Sequence, residues 1–437
     1  MYILSWGYIK EKWAHAGFQR YIRNTSWIFA AKIASMGISF ISTAIVARHL
    51  GPENLGQLSY AVSFTGLFGF IAALGIDSVL SRDLIKYPDR KREFMSTAFI
   101  LKLLSGFSAF ILCLASALVF SKKDISIWLV VIISFTFIIN AFQIIGYEFQ
   151  ARVKSKYPSI FSFITVVILN ILKILVVLLG KGVIYLAFIL LFESVLNAIF
   201  GIFLYKKIAK ENFFDFIFSK KIAKSLLRDS WPLIFVGAFS SVYMDIDQVM
   251  LKSMINATSV GLYDAAVRIS EVWYFIPGII VSSFLPAIIN AKLTHEKIYN
   301  RRLGLLALAL TGLSTFVAII TVIFAPSIIE IVFGNKFINA VPILKIYIWS
   351  GIGMSLGILT NSYLVAENFR KIIFISSFIA MLANVILNMI LIPINGMVGS
   401  AWATFVSYSL IPLSLLFFER TRSKIFEIPK SLLESSS

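Results

Sequence analysis

An all-α integral membrane protein of twelve transmembrane helices is the fold class the sequence predicts. Twelve apolar stretches are each long enough to cross a bilayer, basic residues gather in alternate gaps between them, and 59% of the 437 residues are hydrophobic while only 14% are charged. Soluble domains carry roughly 25% charged residues, so an ordinary water-soluble core is excluded.

The expected spans are 26–47, 56–80, 95–120, 125–149, 158–179, 183–205, 230–252, 259–289, 303–325, 340–365, 370–391 and 397–418. At a rise of about 1.5 Å per residue, each covers the ~30 Å hydrocarbon layer. Of the 40 lysines and arginines, 29 fall in the N-terminal segment, every second loop and the C-terminal segment, and only six fall in the intervening loops. Basic loops stay cytoplasmic, so both termini are expected there, in a bacterial inner membrane.

The net charge of +18 follows from that bias over seven segments, with no clustered groove, so anionic lipid headgroups account for it and a nucleic-acid partner is not expected. Met1–Asn24 mixes Trp6, Trp13, Phe18 and Tyr21 with Lys10, Lys12, Arg20 and Arg23 and lacks the apolar core of a signal peptide. An amphipathic helix on the cytoplasmic surface is expected.

The longest and most basic connection, ENFFDFIFSKKIAKSLLRDS at 211–230, separates six spans from six. The division is therefore an amphipathic segment 1–25, a six-helix lobe 26–210, a linker 211–229, a six-helix lobe 230–420 and a tail 421–437. LGQLSYA (55–61) opens span two as VGLYDAA (260–266) opens span eight, and FSFIT (161–165) matches SSFIA (376–380). With six spans per half, the repeats are parallel about an axis along the membrane normal.

An ionisable group at bilayer depth is costly and marks function by default. Arg268 lies about 14 Å into span eight, with Asp264 at i−4 and Glu271 at i+3 on one helical face. Two readings stand: a local salt bridge, or a guanidinium offered to a phosphate-bearing substrate. Lys32 and Lys102 lie near enough to the cytoplasmic face to snorkel or to contact substrate. Lys173 lies deeper, as a substrate contact or a partner of Glu193, and Lys345 is interfacial.

Asp245 and Asp247 point about 200° apart, so one can take a coupling proton or sodium ion while the other pairs locally. Asp77 and Glu148 are expected at the interface. Pro277 and Pro286 in span eight, Pro412 in span twelve, and Gly351, Gly353 and Gly357 in span ten mark places to bend, span eight being the candidate hinge.

Enzyme chemistry is not visible. His15, His49 and His295 lie in loops, no hydrolase, metalloprotease or nucleotide-binding spacing occurs, Cys113 stands alone, and short outer loops leave no room for a catalytic domain. No cofactor is expected beyond the coupling ion.

The runs ARHLGPENLGQLSYA (47–61), SSVYMDIDQVML (240–251), VGLYDAAVRISEVWYFIPG (260–278), FLPAI (284–288) and NGMVGSAWAT (395–404), with KSLLRDSWP (224–232), resemble the Wzx-type O-antigen flippases of the multidrug/oligosaccharidyl-lipid/polysaccharide exporter superfamily. The resemblance implies two six-helix bundles around a central cavity that opens to each side in turn. The implied cargo is an oligosaccharide on undecaprenyl pyrophosphate, with a glycan polymerase and chain-length regulator as pathway partners.

In the related lipid II flippases an arginine of the eighth helix faces the cavity, and Arg268 occupies that position. Their first-helix arginines have no counterpart, since Met36 and Ser42 stand near those places. The expected cavity is cationic, built from Arg268 with Lys32, Lys102 or Lys173. A cation-coupled exporter of small drugs or metabolites is the alternative and calls for a more acidic cavity.

Overall fold

The computed structural model describes residues 16–120, 124–152, 156–209, 213, 215–292, 295–419 and 421–422. The amphipathic segment through residue 15 and the tail beyond residue 422 lie outside the described residues.

Every regular element among the described residues is helical. In order they are α1 (Ala16–Gly66), α2 (Gly69–Ala73), α3 (Ile76–Lys86), α4 (Lys91–Phe120), α5 (Ile125–Ser134), α6 (Thr136–Ile139), α7 (Ile144–Ala151) and α8 (Lys156–Leu178). There follow α9 (Val183–Leu204), α10 (Lys220–Met254), α11 (Ala257–Glu271), α12 (Phe275–Lys292), α13 (Glu296–Phe333), α14 (Val341–Tyr347), α15 (Ser350–Ala366) and α16 (Arg370–Leu413). Nine helical stretches among the described residues are long and apolar enough to cross a membrane, or ten when the pair bent by 46° around residue 348 counts as one.

Two helices carry internal breaks at glycine. Gly51 in α1 has φ +71° and is followed by Pro52, and Gly396 in α16 has φ +57° with Pro393 just before it. Positive φ suits glycine, and proline cannot continue the hydrogen-bond ladder. Span eight is likewise interrupted, between α11 and α12. The break falls just ahead of Pro277, whose missing N–H costs nothing in the first turn of α12. Span four, expected as one helix, is divided into α5, α6, a 3₁₀ turn at Asn140–Gln143 and α7. A side chain at Gly106 on α4 would sit 2.4 Å from the Phe137 carbonyl, so glycine there admits the broken backbone.

The helices form two compact units. The first holds the described residues of Met1–Val46, Phe68–Phe120 and Ile127–Ile234, and the second those of Ala47–Leu67, Ser121–Ser126 and Phe235–Ser437. The described residues of 47–67 and 121–126 thus group with the second unit.

Inside the first unit, Phe213 and Phe216 of the linker lie 5.2 and 5.3 Å from the Phe99 ring, within a core that includes Phe94, Ile144 and Phe149. Glu148, expected at the interface, is 1% exposed and is compensated by Lys91 at 3.1 Å and Arg152 at 2.6 Å. A lone buried carboxylate would cost several kcal/mol, which explains two cations on one acid.

In the second unit, the outer half of α1 packs on α11 backbone to backbone. A Cβ on Gly56 would stand 1.8 Å from the Ala257 carbonyl oxygen, and a Cβ on Gly261 would stand 1.9 Å from that of Pro52. These are the glycines of the paired motifs LGQLSYA and VGLYDAA, and each helix presents the same register to the other. Small residues permit such approach where lipid supplies no hydrophobic drive.

Two basic residues outside the basic-rich loops are also used here. Arg48 donates from Nε to the Val332 carbonyl at 3.0 Å and from Nη2 to that of Glu330 at 3.3 Å, capping the C-terminal end of α13. Lys252 pairs with Asp124 at 3.0 Å above the Tyr60 ring, fastening residues 124–126. Burial opposes ionisation of Asp124, but the Lys252 ammonium overrides it and holds the carboxyl below its ordinary pKa.

Either Gly56→Leu or Gly261→Leu should abolish the folded protein in detergent, read as loss of the monodisperse peak on size exclusion. Gly312→Leu, at a position with nothing within 4 Å, should leave it intact. Equal behaviour of the three variants would refute the close contact.

Candidate functional site

Asp245, Asp264, Arg268 and Glu271 come together in the second unit, around a cavity of about 200 Å³ also lined by Ser59, Ser63 and Gln248. The elements explain the convergence. Asn256 caps α11 by accepting a hydrogen bond from the Ser259 N–H at 2.9 Å, which starts the helix so that Asp264, Arg268 and Glu271 share a face. Gly66 on α1 leaves room for the Asp245 carboxylate, since a Cβ there would lie 2.6 Å from its Oδ2.

Arg268 Nε donates to Asp264 Oδ2 at 2.6 Å, so the local salt bridge is present. It does not bury the guanidinium: the Arg268 side chain stays 40% exposed, while Asp264 is 5% exposed. Glu271 Oε1 accepts from the Tyr347 hydroxyl at 2.9 Å. Three carboxylates and one guanidinium thus line the cavity.

The expected lysines belong to the first unit. Lys102 is buried, with 5% side-chain exposure, ion-paired to Asp77 and 5.2 Å above the Tyr147 ring. Its charge is already compensated within its own unit, and snorkelling is excluded by that burial. Asp77, expected at the interface, is the partner of this buried lysine and is itself 38% exposed. Lys32 is exposed on α1, and Lys173 on α8 and Glu193 on α9 are half-buried.

Asp247 turns away from the Asp245 cavity, as the 200° divergence on α10 requires. It is 3% exposed and accepts from the Tyr263 hydroxyl at 2.7 Å, the Asn388 amide at 2.7 Å and the Thr404 hydroxyl. Around it Asn388 Oδ1, Asn384 Nδ2 and Ser400 Oγ are buried without hydrogen-bond partners. Of these only Asn388 Oδ1 and Ser400 Oγ are oxygens of the kind that, with the buried carboxylate, suit a small hard cation such as sodium.

Sequence reasoning weighed the charges inside the spans and missed the neutral partners Tyr263, Asn384, Asn388, Ser400 and Thr404. The signal was present: Asn384 and Asn388 stand one turn apart in an otherwise apolar span, a pattern that hydrocarbon does not tolerate without internal partners.

A protein family described as polysaccharide biosynthesis protein matches residues 21–292. Among curated relatives, the succinoglycan biosynthesis transport protein ExoT of Rhizobium meliloti is 22% identical over 344 residues, 77% of this chain and 66% of that protein, so this chain spans slightly less than two thirds of its length. The probable low-salt glycan biosynthesis flippase Agl15 of Haloferax volcanii is 23% identical over 408 residues, 89% of this chain and 81% of that one.

Among solved structures, the inward closed conformation of the lipid II flippase MurJ aligns with a TM-score of 0.71 at 18% identity, covering 93% of this chain and 90% of the other. An inward-facing MATE family transporter of the MOP superfamily aligns at 0.70 with 16% identity, covering 90% and 96%. These two likenesses show a common fold.

Asp247→Ala strands three buried donors, so it should destabilise the protein by about 3 kcal/mol, visible as a clear drop in thermal midpoint in detergent. Asp245→Ala, on the open cavity, should leave the midpoint nearly unchanged. Equal drops would contradict the two environments described.

Proposed function

Because the chain belongs to the polysaccharide biosynthesis protein family, we propose that it is a flippase for lipid-linked oligosaccharide. Its cargo is an O-antigen-like repeat unit on undecaprenyl pyrophosphate, turned from the cytoplasmic to the periplasmic leaflet of a bacterial inner membrane. One observation carries the reading: the Arg268 side chain, 40% exposed, stands on a cavity wall about 16 Å along α11.

The architecture proposed is twelve crossings in two six-helix bundles, with both termini cytoplasmic. The breaks at Gly51 and Gly396 support it, since each divides one long helix where two adjacent spans are expected. The basic loops support the orientation. Alternating access then rocks the halves about the cargo, with the interruption ahead of Pro277 as a hinge.

Charge balance ties transport to an ion. Arg268 among three carboxylates cannot accept a pyrophosphate while all of them are ionised, because like charges at close range in low dielectric are strongly unfavourable. Protonation of Asp245 or Glu271 would lower the negative charge, and release of Asp264 would free Arg268 Nε for the phosphate oxygens. Sodium at Asp247 is the second candidate coupling event. Lys32, Lys102 and Lys173 remain candidate contacts for the cargo and Glu193 for the ion, and a glycan polymerase and chain-length regulator are the proposed partners.

The acidic cavity also favours a second reading, a cation-coupled exporter of small cationic compounds. In a deletion strain, Arg268→Ala should abolish long-chain surface glycan at normal protein abundance, and Arg268→Lys should restore part of it. Intact glycan together with drug hypersensitivity on deletion would replace the flippase by the exporter. Intact glycan with reduced abundance would indicate a merely structural arginine.

A further inference from the structure

Each unit contains a second pocket, and the two occupy the same place in the internal repeat. The first, about 300 Å³, lies among α6, α7, α8 and α9 and the 3₁₀ turn at Asn140–Gln143. The second, about 160 Å³, lies among α10, α15 and α16. Ser162 lines one and Ser377 the other, in the register of the FSFIT and SSFIA pair, and one residue out of that register Tyr147 corresponds to Asn361 and Ser194 to Tyr408.

The chemistry of the pockets differs at equivalent positions. Asn140, Gln143 and Asn197 line the first pocket where Met354, Gly357 and Ile411 line the second. The second unit therefore builds its pocket without amides at these three positions, its one lining amide being Asn361 at the place of Tyr147.

None of the three amides has a side-chain hydrogen-bond partner among the described residues, and Gln143 and Asn197 are exposed. An unpaired amide facing hydrocarbon costs several kcal/mol. Three of them converging on one pocket call for a ligand with its own hydroxyls.

No charged residue lines this pocket, whereas Phe142, Tyr147 and Phe161 supply ring faces. Amides beside aromatic faces, with no ion, suit a neutral pyranose: hydroxyls pair with the amides and the C–H face of the ring lies on the aromatics. A pyrophosphate finds no cation here, and a polyprenyl chain gains nothing from three amides.

We propose that the pocket around Asn140, Gln143 and Asn197 is a subsite for a neutral sugar ring of the glycan cargo. It rests on the flippase reading and assigns the sugar, not the pyrophosphate, to this pocket. In the proposed orientation the subsite lies in the cytoplasmic half of the membrane, on the side from which cargo enters.

The test uses the full chain in nanodiscs and the double variant Asn140→Met/Asn197→Ile, which copies residues that already fold in the equivalent pocket. Two lipids are titrated, polyprenyl pyrophosphate bearing one neutral hexose and bare polyprenyl pyrophosphate. A methyl hexoside is followed separately by saturation-transfer NMR. The variant should bind the hexose-bearing lipid on the order of ten-fold more weakly, as loss of two neutral hydrogen bonds implies. Its affinity for the bare lipid should be unchanged and its methyl hexoside signal lost.

Equal weakening for both lipids, or for neither, overturns the subsite, as does absence of a methyl hexoside signal in the wild-type protein. If the wild-type chain binds neither lipid, the flippase reading falls. A hexoside signal that the variant still abolishes would then uphold the sugar site by itself.

Discussion

Hydrocarbon supplies no water to solvate an ion, and the placement of buried charge in this protein follows from that constraint. Glu148 is held by Lys91 and Arg152, Lys102 by Asp77, and Asp264 by Arg268, while Asp247 is held by neutral donors from three helices. Each pairing joins elements that sequence separates or fixes one helix turn, so compensation of charge and helix packing are one problem here. Where compensation is incomplete, as at the half-exposed Arg268, the structure departs from what stability alone would favour.

That departure gives the cavity its character. An arginine flanked by acids is a weak anion receptor at rest, and its strength depends on what neutralises the acids. A permanently cationic cavity would bind pyrophosphate tightly and release it slowly on the far side. Under the proposed function, a guanidinium tempered by Asp264, Asp245 and Glu271 would bind less tightly, which would suit a carrier that must let go. Asp247 is buried on the opposite face of the helix that carries Asp245.

Much of this was legible in the sequence. Apolar length pointed to membrane-crossing helices, of which nine or ten stand among the described residues, and the motifs pointed to polysaccharide flippases, where the family match shows the polysaccharide biosynthesis protein family. The face shared by Asp264, Arg268 and Glu271 follows from helical spacing, as does the divergence of Asp245 and Asp247. Three things were not legible. Apolar patterning locates a span without revealing its internal breaks, so the division of span four into α5, α6 and α7 was hidden. Charge in a span reveals cost but not partner, so the Lys102–Asp77 pair and the buried state of Glu148 required coordinates. The amides of the first pocket and the neutral partners of Asp247 drew no notice because only charge was weighed inside the spans.

The contact of Gly56 with Gly261 has a consequence for origin. Pro52 and Gly56 on one helix meet Ala257 and Gly261 on the other, and these are corresponding positions of the paired motifs. A surface that meets its own copy is isologous, the geometry of a two-fold symmetric dimer. A half-length ancestor bearing one such motif could join a second copy of itself through the same two glycines. Fusion of the genes would then have removed the need to find a partner and freed the two copies to diverge, one keeping Asp264 and Arg268 beside the contact and the other Ser59 and Ser63.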